Sequence, residues 1–181
     1  MRYRREITLR DGTPCVLRNP APGDAEAMIA HLTAVSGETD YMLRYPDELN
    51  IAVGDERAYL EKLEGDMRSG MIVAEIEGGI AACARLSAVS ELSRFRHRAE
   101  FGVSVRKARW GVGVGSALLE AVIDLAREFG YEQLELSVSS ENARGIALYE
   151  RFGFERAGAI ERAFRFRDGR YAAEILMVLK L

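Results

Sequence analysis

The sequence is short of the residues that several protein classes depend on. It has two cysteines, Cys15 and Cys83, far apart and without metal-ligand spacing, and only two histidines. That excludes a disulfide framework and a zinc centre, and two reduced thiols in a cytoplasmic setting are expected. No stretch approaches the roughly 18 apolar residues of a membrane span. The start, MRYRREITLRDG, lacks the apolar centre of a secretory leader. Net charge is −3 and the basic residues are dispersed, so nothing favours nucleic acid or an acidic membrane as partner. Neither a repeat nor a linker interrupts the chain. What remains is 181 residues, 48% apolar and 29% charged, which suits a single domain over 1–181 with a sizeable core.

Hydrophobic periodicity and turn residues order this chain into strands and helices. Glu6–Leu9 and Cys15–Arg18 flank Asp11-Gly12 as a hairpin. Asp24 is placed to cap a helix over Ala25–Ala34. Val35–Gly54 reads as a loop or short helix over a pocket, because Glu38, Asp40, Tyr41, Tyr45, Asp47 and Glu48 are too polar and aromatic for a core element. A second helix is expected over Asp55–Glu64, with Tyr59, Leu60 and Leu63 inward. Met71–Ile76 and Ile80–Ser87 form a second hairpin around Gly78-Gly79, and the polar run Ser90–Arg98 leads to a strand over Ala99–Val105. Leu118, Leu119, Val122, Ile123, Ala126 and Phe129 recur at helical spacing up to a capping Gly130. Leu134, Leu136 and Val138 alternate as a strand. Asn142–Phe152 is a helix stopped at Gly153, and Phe154 starts a last strand-rich section in which Arg162–Arg167 and Ala173–Leu179 flank the turn at Asp168-Gly169. The order ββααβββαβαββ predicts an α+β fold: a mixed, mostly antiparallel central sheet with helices on both faces.

The organising stretch is Phe101–Phe129, a strand, a basic turn, glycines at 111, 113 and 115, and an amphipathic helix. A glycine loop opening into a helix presents backbone N–H groups that no preceding turn satisfies, and the helix dipole reinforces them, so an anion such as a phosphate is the natural ligand. A dinucleotide site would share this pattern, and Glu135 falls twenty residues beyond Gly115, near where a ribose-binding acid is sought. That reading wants repeated βα alternation and an acid at a strand's end; the chain offers one βαβ unit, with Glu135 mid-strand.

Ala99–Gly158 resembles the acetyl-CoA-binding core of the GNAT superfamily of N-acetyltransferases. Two blocks carry the likeness: the Trp110-Gly111-Val112-Gly113-Val114-Gly115 loop, and Asn142 to Tyr149 followed by Arg151, Gly153 and Phe154. The family's usual Gln or Arg at the head of the loop is Trp110 here. The resemblance implies the GNAT acyl-CoA N-acyltransferase fold and acetyl-CoA as co-substrate. It implies that Trp110, Gly111, Val112, Gly113, Val114, Gly115 and Ser116 hold the pyrophosphate, with Arg106, Lys107 and Arg109 near to neutralise it. Val103, Ser104 and Val105 would bond the pantetheine where their strand splays from Leu134–Val138, helped by a β-bulge, and Asn142 would contact it or cap its own helix.

The implied chemistry is attack of an amine on a thioester. A free amine of pKa about 10.4 is almost wholly protonated near pH 7, which costs roughly 4 kcal/mol, so a base is needed, direct or through water. Glu100 is the candidate base; strand alternation puts Glu100, Gly102 and Ser104 on one face and Phe101, Val103 and Val105 on the other. Its bland alternative is an exposed carboxylate paired with Arg98 or Arg85. Tyr149 is the candidate acid for the departing thiolate, or else a core tyrosine. His97 is an alternative base, although a lone histidine in a basic loop reads first as a solvent-exposed residue. Glu38 and Tyr41 are candidate substrate residues, with Asp40, Asp47 and Glu48 able to draw a cationic amine. Arg162, Arg165, Arg167 and Arg170 are expected to alternate along a solvated hairpin, with one of them able to reach a CoA phosphate. The acceptor is a small-molecule or peptide amine, a homodimer is compatible with the resemblance, and a non-catalytic acyl-CoA sensor is the alternative function.

Overall fold

A computed structural model describes residues 3–181. The chain runs β1 (Arg4–Thr8), β2 (Pro14–Arg18), α1 (Ala25–Glu38), α2 (Val53–Leu63), β3 (Gly70–Ile76), β4 (Gly79–Ala88), β5 (Arg98–Val105), α3 (Val114–Glu128), β6 (Gln133–Ser139), α4 (Ala143–Arg151), β7 (Glu155–Arg165) and β8 (Tyr171–Lys180). The eight strands form one sheet in the order β1-β2-β3-β4-β5-β6-β8-β7. Only β5 and β6 pair in parallel; every other neighbour is antiparallel. The predicted class and element order are those observed.

Period-two alternation divides the central strands between two helical layers. Ala82, Ala84 and Leu86 of β4, Ala99 and Phe101 of β5, and Leu134, Leu136 and Val138 of β6 join the large core under α3 and α4. The intervening face meets α1 and α2 through a smaller cluster of Ala25, Met28, Leu60, Met71, Val73 and Cys83, with Tyr59 and Leu63 packed against it. The apolar stripe of α3 is buried from Val114 to Ala126, and Gly130 turns the chain at φ 76° to start β6. Cys15 and Cys83 are buried free thiols. Burial pushes the Cys83 thiol up to about 12, which suits an inert core residue. No helix of the described residues is long and apolar enough to cross a membrane.

Three local expectations are corrected. Asp24 does not cap α1 with its side chain; its carboxylate grips Arg18 at 2.7 and 2.9 Å and the Ala21 N–H at 2.7 Å. Helix α1 continues beyond Ala34 to Glu38, and Val35 and Ser36 in this extension are still buried. Strand β7 fills the strand-rich section expected from Phe154, running continuously over Glu155–Arg165 rather than only over the Arg162–Arg167 arm beside the turn. Its residues up to Ala163 are all exposed, so no apolar face existed to be read, and pairing with β8 carries it through two register shifts. Such shifts and its charged side chains also blunt this open edge.

Candidate active site

The ladder between β5 and β6 is short. It pairs Arg98 with Gln133, Ala99 with Leu134 and Glu100 with Glu135, then stops. Beyond Glu100, β5 remains fully paired to β4 as far as Val105 opposite Ala82, while β6 stays paired to β8. The two parallel strands therefore part between Gly102 and Val105, leaving one edge of β5 open. The expected bulge is not what opens them: the β4–β5 register is continuous from Ala82–Val105 to Ala88–Ala99.

At the open end, β5 passes through a turn into the glycine loop. Trp110 Nε1 donates to the Val105 carbonyl at 2.9 Å, pinning the loop to the strand end, and the Arg144 guanidinium lies 5.3 Å from the indole centroid. Trp110 is thus an anchor of the loop. Gly111 and Gly113 hold φ of 84° and 102°, a region costly for any side chain. From Gly111 to Ser116 the backbone N–H groups have no acceptor among the described residues; Ala117 is the first satisfied, bonding Gly113 O at 3.1 Å. A run of free amides at the start of a fifteen-residue helix fits a pyrophosphate closely. Val112 O, by contrast, is held by the Arg10 N–H at 2.9 Å, which braces the loop against the first hairpin.

The charges around this loop differ from those expected. Arg106 pairs with Glu38 at 2.8 Å and Arg109 with Glu77 at 2.7 Å, so two of the three proposed cations are already engaged. Three further arginines, not assigned to the phosphate from the sequence, border the loop. The Arg10 side chain stands 3.5 Å from where a Gly113 Cβ would be, and an Arg144 nitrogen 3.8 Å from that of Gly111. Arg151 bonds Ser116 Oγ at 2.7 Å. They come from the first hairpin and from α4, and no pattern near the glycines marks them.

On the α3/α4 side, Tyr149 is buried against Phe101 and Phe154, with ring centroids at 5.8 and 6.0 Å. Burial pushes its hydroxyl up to about 12, so it stays protonated and able to donate. That hydroxyl has no hydrogen bond to a described residue. Asn142 caps α4, Oδ1 accepting from the Gly145 N–H at 2.9 Å; that satisfies α4 where α3 is left bare.

On the α1/α2 side the predicted alternation holds. Glu100 is exposed and touches Ser87 Oγ at 3.4 Å. Arg98, one of its two suggested partners, is taken bidentately by Glu135, whose carboxyl this guanidinium holds below its ordinary value. Ser104 Oγ meets His31 Nε2 of α1 at 2.8 Å. His31 is 1% exposed, and its Nδ1, near the Ile80 backbone, completes no hydrogen bond. Burial, helped by the positive charge of Arg106, lowers it to about 4. His31 is a neutral histidine against the open strand, unsignalled by any motif.

The acidic residues after α1 are bound up in an arch. Burial alone would raise the Glu38 carboxyl, but the Lys107 N–H at 2.6 Å and Arg106 hold it low. Asp47 takes Arg167 at 2.8 Å and Asp40 takes Arg170 at 3.4 Å, while Arg170 also reaches Glu141 at 2.9 Å. Arg167 stacks 3.9 Å from the Tyr45 centroid. The segment after α1 is thereby tied to the ends of β5 and β6 and to the β7–β8 turn. Asp40, Asp47 and Glu48 are paired rather than free to attract an amine, and Arg167 and Arg170 are not simply solvated. Tyr41 lies 39% exposed on this segment, and Glu38 serves it as a brace.

Residues 37–154 match the model of the acetyltransferase (GNAT) family. The chain belongs to that family. An L-amino acid N-acetyltransferase of Escherichia coli is 29% identical over 129 residues, 70% of this chain and 78% of that protein. Other curated relatives are spanned over 49–64% of their own lengths. An acetyltransferase of the GNAT family from Streptococcus pneumoniae superposes with TM-score 0.88 at 28% identity, covering 92% of this chain and 99% of that one. A Salmonella typhimurium structure described as an acetyltransferase with its cofactor acetyl-CoA has the same fold, TM-score 0.80 at 23% identity, covering 92% and 94%. The family uses acetyl-CoA as co-substrate, and the bare α3 terminus beside the β5–β6 gap fits that molecule's pyrophosphate and pantetheine.

Proposed function

We propose that this GNAT acetyltransferase moves the acetyl group of acetyl-CoA to a primary amine by direct attack. The observation that carries the reading is the run of unbonded amides from Gly111 to Ser116, placed at the end of β5 where that strand leaves β6. Those amides, with Arg10, Arg144 and Arg151 nearby, would hold the pyrophosphate; the open edge at Val103, Ser104 and Val105 would hydrogen-bond the pantetheine amides. Bound acetyl-CoA supplies the acetyl thioester.

Glu100 would take the proton from the attacking amine, directly or through one water, because it is an ionisable group on the acceptor face, at the last paired position before the strands part. Tyr149 would give its hydroxyl proton to the thiolate as the C–S bond breaks; burial keeps that proton in place at neutral pH. Two free buried thiols suit a reducing, cytoplasmic setting.

Calorimetric titration with acetyl-CoA and a coupled assay of CoA release over an amine panel test the reading together. Micromolar binding with acceptor-dependent release is expected. Absence of binding at millimolar acetyl-CoA overturns the reading; binding without any release would leave an acyl-CoA sensor. Tyr149→Phe is expected to lower kcat about tenfold or more without loss of stability, since the hydroxyl holds no protein partner. A variant with unchanged kcat would make Tyr149 a core aromatic only.

A further inference from the structure

The α1/α2 face of the sheet carries two opposite charges that do not meet. Glu100 of β5 stands opposite Ser87, and Arg85 of β4 stands opposite Gly102. Side chains at these positions share a face and are diagonal neighbours across the ladder, about 7–8 Å apart with their Cβ atoms somewhat closer, within reach of a glutamate and an arginine. Yet Arg85 forms no ion pair with any described residue, and Glu100 contacts only Ser87 Oγ. The floor between them is Gly102, where an added Cβ would meet no atom within 4 Å. Ser104, fixed by His31, borders that floor on the far side.

The surroundings of Arg85 are also arranged for a ligand. Its guanidinium is 5.3 Å from the Tyr59 ring centroid, and the Tyr59 hydroxyl is buried without a hydrogen-bond partner. Glu56 of α2 lies near; burial raises its carboxyl, Arg85 opposes that shift, and the two form no salt bridge. A guanidinium that is exposed, oriented over an aromatic ring and unpaired is suited to a planar carboxylate.

We propose that the acceptor is a free α-amino acid, its carboxylate held by Arg85 with Tyr59 close by and its amine delivered to Glu100 over Gly102. The assignment rests on the acetyltransferase reading above. A zwitterion with its charges one carbon apart bridges the two unpaired groups. A polyamine would bring a second cation against Arg85, and a peptide N-terminus carries no α-carboxylate for it.

The test compares acceptors on the intact wild-type protein: the L-amino acids, then the amide and the decarboxylated amine of the best one, with spermidine and a tripeptide alongside. The amino acid should exceed its amide and its decarboxylated amine roughly ten- to a hundredfold in kcat/KM, as loss of a charged hydrogen-bonding partner implies. Arg85→Met should raise KM for the amino acid by a similar factor, erase the discrimination against the amide, and leave acetyl-CoA binding by calorimetry unchanged; Arg85→Lys should restore part of the preference. Equal use of acid and amide, preference for spermidine or the tripeptide, or an unaltered KM in Arg85→Met overturns the carboxylate site while leaving the acetyltransferase intact. Absence of acetyl-CoA binding, or of turnover with every amine, would instead overturn the parent reading.

Discussion

On one face of the sheet, α3 and α4 cover a continuous apolar cluster that reaches from Leu9 to Met177. On the other, α1 and α2 bury six apolar residues, and the rest of that face carries Glu56, Arg85, Glu100 and the His31–Ser104 pair. The contrast follows from division of labour. The first face must hold the glycine loop rigid, so that its amides stay bare and aimed; dense packing under α3 does this. On the proposed mechanism the second face admits the amine and handles its proton, which accounts for the polar groups it keeps at some expense of stability.

The sharpest way to break this contrast is to remove the proposed proton acceptor, Glu100, from the second face. Glu100→Gln is expected to reduce kcat about 10²- to 10⁴-fold while acetyl-CoA binds as before. If kcat is retained, proton removal does not depend on Glu100 and the two faces are not divided as argued. Loss of acetyl-CoA affinity instead would mean that the faces are not independent.

The next largest effect concerns acid stability. His31 is held neutral at about 4 against an ordinary 6.5. As pH falls through 6.5 the unfolded chain binds the proton first, so stability declines until the folded protein also protonates near 4. The loss attributable to His31 is about 3 kcal/mol. His31→Gln, which keeps a donor for Ser104, should flatten the denaturation profile between pH 7 and 4 by that amount relative to wild type. An unchanged slope would remove His31 as a source of strain on that face.

A smaller effect separates binding from chemistry on the first face. Gly113→Val places a side chain at φ 102°, with its Cβ 3.5 Å from Arg10, at a cost of about 1–3 kcal/mol. Weaker acetyl-CoA binding and little change in kcat at saturation are expected from titration and kinetics. The smallest is Asn142→Ala, which removes the α4 cap and should cost about 1 kcal/mol in urea unfolding. A larger loss of acetyl-CoA affinity than of stability would show that Asn142 reaches the ligand as well.

How much of this was legible depends on how local each signal is. The strands, the stripe of α3, the glycine turn and the stop at Gly153 are visible because each arises from neighbours in the chain: side-chain period, positive φ, and residues that cap or break a helix. The alternation that puts Glu100 and Ser104 on one face is of the same kind. The continuity of β7 before Arg162 was hidden because an edge strand exposed on both faces shows no period, and the extent of α1 was hidden because the burial of a polar residue such as Ser36 near its end arises only in the folded chain.

The sequence by itself therefore determined the element order, the bare helix terminus and the faces of β5, since backbone geometry reads them from adjacent residues. Only the tertiary structure decided which charges remain free. Glu38 is claimed by Arg106, sixty-eight residues away, Asp47 by Arg167, 120 residues away, and His31 meets Ser104 across seventy-three. Arg10 and Arg85 gain their significance in the same way, one against the glycine loop and the other beside Gly102. Such pairings depend on strand order and on which helix covers which face, and a one-dimensional pattern holds no record of either.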